Sequence, residues 1–79
     1  MTKRKLYFIH KGKRYECGTV VVFYDDYFKN TYERVFLCYI PDSDYYTLQQ
    51  KEGGAWIGMP GVDFMNKIVE VNDEICKPI

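Results

Sequence analysis

Thr19-Val20-Val21-Val22-Phe23-Tyr24 and Val35-Phe36-Leu37-Cys38-Tyr39-Ile40 are two runs of β-branched and aromatic side chains, apolar at both alternating sets of positions. A strand with one face in water alternates apolar and polar residues. These two do not, so each is expected to be a central strand covered on both faces, and the two are expected to pair. The link between them, residues 25–34, sets the register. A two-residue loop at Lys29-Asn30 would oppose Asp26 to Glu33, which repel. A three-residue loop ending at Thr31 instead faces Asp26 with Arg34 and Phe28 with Tyr32. That register aligns Val22 with Cys38 and Tyr24 with Phe36, and predicts one apolar face made of even-numbered residues.

Upstream of this pair, residues 5–10 alternate and stop at Lys11-Gly12-Lys13, a glycine-containing connection to Arg14-Tyr15-Glu16-Cys17, which reads as a β-hairpin. In either tight register Leu6, Phe8 and His10 share a face with Tyr15 and Cys17. Gly18 interrupts the extended run and predicts a bend into a second sheet. Downstream, Pro41-Asp42-Ser43-Asp44 has the residues of a tight turn, and Tyr45-Tyr46-Thr47-Leu48-Gln49 reads as a fourth strand. Gly53-Gly54, Gly58 and Pro60-Gly61 surround the lone Trp56 and mark the main irregular loop. Residues 62–67 fit one short helical turn before a last strand at 68–71. The tail is expected to fray from about residue 73.

These elements describe one all-β domain over residues 1–79: a small barrel of five to six antiparallel strands, with one short helical turn near 62–67. In strand number and loop placement the order resembles SH3-like barrels. No motif carries the resemblance, so no functional residue transfers with it. An OB-like barrel and a curved open sheet fit the same pattern.

Seventy-nine residues make a small core, and fourteen Tyr, Phe and Trp rings compensate, because each can remove roughly 150–250 Å² from water. Eleven basic residues balance eleven acidic ones. The distribution is uneven: Lys3, Arg4, Lys5, Lys11, Lys13 and Arg14 all precede the first acid, Glu16. The N-terminal hairpin is therefore a basic pole. Edge lysines commonly serve to discourage strand addition, and the same pole would suit a nucleic-acid partner.

Chemistry has little to work with. Cys17, Cys38 and Cys76 form neither a disulfide framework nor a zinc spacing, which points to reduced thiols and a cytoplasmic setting. The only histidine, His10, falls on the same hairpin face as Cys17 without facing it directly, so a Cys/His enzyme is the weakest of three readings. Asp25-Asp26 and Asp42-Ser43-Asp44 read as turn chemistry and lack the ligand set of a cation loop. Residues 6–9 are too short an apolar run for a leader or a membrane span. No catalytic residue, metal site or cofactor is expected.

The surplus of rings points elsewhere. Tyr27, Tyr32, Tyr45, Tyr46 and Trp56 are the candidate contact residues of a non-enzymatic module that binds a protein partner or a second copy of itself, since Tyr and Trp are enriched in interfaces. The alternative is a nucleic-acid-binding accessory protein that uses Lys3, Arg4, Lys5, Lys11, Lys13 and Arg14, with rings stacking on bases. The core rings are expected to be Phe8, Tyr15, Tyr24 and Phe36.

Overall fold

A computed structural model describes residues 3–75 of the chain. Seven strands and one helix follow in order: β1 (Tyr7–His10), β2 (Lys13–Glu16), β3 (Thr19–Asp25), β4 (Asn30–Ile40), β5 (Tyr45–Gln50), β6 (Trp56–Pro60), α1 (Gly61–Lys67) and β7 (Ile68–Ile75). β1 and β2 form a two-stranded sheet. The others form an antiparallel sheet in the order β6-β5-β4-β3-β7. The fold is thus mostly β, as expected. Its seven strands exceed the five or six expected, and the ladders leave β6 and β7 as edges rather than closing a ring.

The first hairpin turns on Lys11 and Gly12, with φ of 51° and 79°, so His10 pairs with Lys13 and Phe8 with Tyr15. Two positive φ values match the twist of a tight hairpin, and glycine takes the second without strain. Gly18, at φ 100°, makes the expected bend: its N–H donates to the Phe36 carbonyl at 2.8 Å. Lys5 then exchanges both backbone bonds with Tyr39 (2.9 and 2.8 Å). The eleven residues of β4 therefore carry β3 along one stretch and the lead-in to β1 along the next.

β3 and β4 pair as expected but in a different register. Val20 faces Val35, Phe23 faces Tyr32, and Asp25 faces Asn30, leaving a four-residue connection. Asp25 causes the difference: its Oδ1 accepts from the N–H groups of Tyr27 (2.8 Å) and Phe28 (3.2 Å), and Lys29 takes φ 56° to re-enter the strand. One apolar face consequently combines odd residues of β3 with even residues of β4.

That face holds the main core: Phe8, Val21, Phe23, Phe36, Leu48, Met59 and Phe64. Phe64 is supplied by α1, a helix too short to be stable in isolation. Its ring stacks on Tyr46 at 3.8 Å between centroids and meets Phe8 and Phe23 edge-on at 5.5 and 5.4 Å. Asp63 in the first turn and Lys67 in the last suit the helix dipole. Of the expected core rings, Phe8 and Phe36 are buried, and Tyr15 and Tyr24 are half-buried. On the opposite face Val20, Val35 and Leu37 form a smaller cluster against Cys17.

Two further expectations change. Residues 56–60 form a strand, and the irregular connection shrinks to 51–55, where Gly53 and Gly54 take φ of 93° and 115° and Gln49 Nε2 donates to the Gly54 carbonyl. Where fraying was expected from about residue 73, β7 runs on to Ile75, which pairs with Thr19. Residues 76–79, including Cys76, lie outside the described residues.

Candidate functional site

β6 is the feature around which exposed apolar side chains gather. It pairs only with β5 among the described residues, through Gln49–Trp56, Leu48–Ile57 and Tyr46–Met59. Its residues, Trp-Ile-Gly-Met-Pro, include no charge. The other edge of the large sheet, β7, contains Glu70, Asp73 and Glu74, and β2 contains Lys13, Arg14 and Glu16. Charged edges resist pairing with another chain; β6 carries no charge, and Pro60 blunts only its C-terminal end.

Neighbouring residues of a strand point to opposite faces, and here each opens onto a different groove. Ile57, 37 % exposed, lines a cleft of about 380 Å³ with Met59, Leu48, Phe28, Tyr32, Arg34, Asn30 and Asp25. Trp56, 62 % exposed, lines a shallower groove of about 190 Å³ with Leu6, Leu37, Cys17, Cys38 and Arg4. Gly58, between them in sequence, lies beneath the Tyr45 ring: a Cβ there would meet Tyr45 Cδ1 at 3.5 Å. The edge is therefore flanked by apolar surface on both faces.

The five rings expected to form one contact surface do not meet in one place. Trp56 and Tyr45 share a face of the sheet, since Trp56 pairs with Gln49, two pleats from Tyr45. Tyr32 lines the cleft on the other face, where it packs beside Phe23 at 5.6 Å. Tyr27, 85 % exposed, stands at the tip of the β3–β4 hairpin, its ring against Phe28. Tyr46 belongs with the core: it is half-buried, with one ring face taken by Phe64. Arg34, Ile57, Met59 and Leu6 were not among the expected contacts. Arg34 was findable, because it lies two residues beyond Tyr32 on the same strand face.

Cations of the basic pole pack on its own rings. Lys3, Arg4, Lys5, Lys11, Lys13 and Arg14 are all exposed. Arg14 covers the Tyr7 ring at 3.9 Å and pairs with Glu16 at 2.6 Å, and Lys5 also approaches Tyr7 at 6.0 Å. Tyr15 is held between Phe8 at 5.3 Å and the Lys13 ammonium at 5.2 Å. Ring faces that a base would stack on are engaged by the protein's own side chains.

Cys17 and Cys38 are free thiols; burial, and then the neighbouring Cys38, push the Cys17 thiol upward, away from the thiolate that a nucleophile requires. Among the described residues no group of three or more His, Cys, Asp or Glu side chains is placed to hold a metal ion, and no helix is long and apolar enough to cross a membrane. Compared with family models, curated proteins and solved structures, the chain matches none.

Proposed function

We propose that this chain is a non-enzymatic protein-interaction module that accepts an extended partner segment along the β6 edge. The observation that carries this is the pairing of an uncharged edge with exposed apolar residues on both of its faces: Trp56 toward one groove and Ile57 toward the other. A segment added to such an edge would draw affinity from main-chain hydrogen bonds, and its alternating side chains would enter the two grooves. The SH3-like reading belongs with this proposal. It is supported by the return of β7 to β3 directly after the short helix α1. Free thiols at Cys17 and Cys38 suit the reducing cytoplasmic setting proposed with it. A nucleic-acid role for the basic pole has less support, because Tyr7 and Tyr15 already carry cations.

Selection from a random peptide display library, followed by amide hydrogen exchange on the complex, tests the reading. Apolar, extended peptides are expected, with protection concentrated at 56–59. Ile57→Lys, which sets a charge on the edge, should weaken binding at least tenfold while thermal unfolding changes little. Protection centred elsewhere, or full binding by Ile57→Lys, would overturn it. A second copy acting as the partner would appear as a concentration-dependent dimer that protects the same amides.

A further inference from the structure

The cleft on the Ile57 face has one feature that an apolar docking groove does not need. Arg34 is half-buried in its wall, and its guanidinium lies 4.7 Å over the Tyr32 ring while Nη1 donates to the Glu33 carbonyl at 2.7 Å. Among the described residues no carboxylate pairs with it. The acids nearby do not neutralise it: Glu33 points to the opposite face, toward Lys51 at 3.8 Å and Asn72 at 3.3 Å. Asp25 sits beside Asn30, four residues along β4 from Arg34, with Oδ1 accepting from the Tyr27 and Phe28 N–H groups. Its charge confines an incoming carboxylate to the Arg34 end of the cleft. Holding a cation partly out of water without a counter-charge is unfavourable, and the planar fork of Arg is matched best by a carboxylate that takes two parallel hydrogen bonds.

We propose that this cleft binds a peptide carboxylate, with Arg34 as its anchor. Asn30, Tyr32 and Arg34 alternate along β4 and line the same cleft. The four steps from Asn30 to Arg34 span about 13 Å, the length of a short extended segment. Exposed Phe28 and Ile57 and buried Leu48 and Met59 supply its apolar lining. The partner is thus an extended chain carrying apolar side chains next to one carboxylate, supplied by an Asp or Glu side chain or by a C-terminus. This inference rests on the reading of β6 as a peptide-binding edge: Ile57 belongs to that edge and also lines the cleft, so a chain entering over Ile57 reaches across β5 to Arg34. The cleft adds the chemistry of what the edge selects.

Three N-acetylated tetrapeptides distinguish the possibilities when titrated into the ¹⁵N-labelled chain: Val-Phe-Val-Glu-amide, Val-Phe-Val-Val with a free C-terminus, and Val-Phe-Val-Gln-amide. At least one acidic peptide should bind at least tenfold more tightly than the neutral one and shift the resonances of Tyr32, Arg34 and Ile57. Which acidic peptide gains identifies the source of the carboxylate. Arg34→Gln should abolish the preference for acid, and Arg34→Lys should retain part of it. Equal binding by all three, binding by none, or a preference that survives Arg34→Gln would overturn the proposal. Equal binding that Ile57→Lys removes would leave the edge-strand reading standing without the carboxylate site.

Discussion

The Tyr39 hydroxyl donates a 2.7 Å hydrogen bond to Asp44 Oδ1 across the β4–β5 turn, while the Asp44 carbonyl accepts from the Gly61 N–H at 2.8 Å. One aspartate, held at φ 53° where few residues are comfortable, thereby joins the end of β4 to the start of α1.

The phenol in this pair gives a pH signature. The hydrogen bond to Asp44, then burial, then the Asp44 charge push Tyr39 from 10.0 up to about 12. The folded chain keeps this proton at pH values where the unfolded chain loses it. The associated stability is therefore present below pH 10 and lost as pH rises through about 12. Wild type should lose thermal stability more steeply over that interval than Tyr39→Phe. Parallel curves for the two would show that the bond does not form.

A side chain at Gly61 is expected to displace the Asp44 carboxylate. A Cβ built there falls 2.6 Å from Asp44 Cγ, and the Asp44 carboxylate is tied to Tyr39 and unable to swing aside freely. Gly61→Ala should destabilise the chain by about 1–3 kcal/mol, the usual cost of overpacking. Denaturant unfolding of Gly61→Ala measures it, and the double variant with Asp44→Ala should recover much of the loss.

Phe64 is the largest single contribution that the short helix makes to the core. Phe64→Ala should cost about 3–5 kcal/mol, a large share of the roughly 5–15 kcal/mol typical of a small domain. Far-UV circular dichroism with urea titration is the measurement. A loss below about 1 kcal/mol would mean that α1 is not docked as described.

Much of this architecture was legible from side-chain type. The runs at Val20–Val22 and Val35–Leu37 could only be covered strands, Gly18 announced the bend, and residues 62–67 fitted a short helical segment. The register of β3 on β4 was misread because charge pairing at an exposed hairpin tip is worth only tenths of a kcal/mol. It yields to the Asp25 turn and to the burial of Val21 and Phe23. β6 was hidden by Gly58 and Pro60, residues that argue against an interior strand but are tolerated at an edge. Tyr46 looked like a surface ring because its partner, Phe64, is eighteen residues away in sequence and meets it only in the folded chain.

The strand order also dictates a sequence of events in folding. β3 to β6 are joined by successive hairpins, whereas the ladder of β3 with β7 joins Val21 to Val71, fifty residues apart. Closing that distance costs more chain entropy than any hairpin in the meander. The four-stranded meander should therefore assemble before β7 docks. Substitutions such as Val71→Ala would chiefly accelerate unfolding, while Val35→Ala would slow folding. Stopped-flow rates for the two variants compare them directly. During that interval both sides of the meander lack a neighbour: β3 waits for its own chain, and β6 remains available to another.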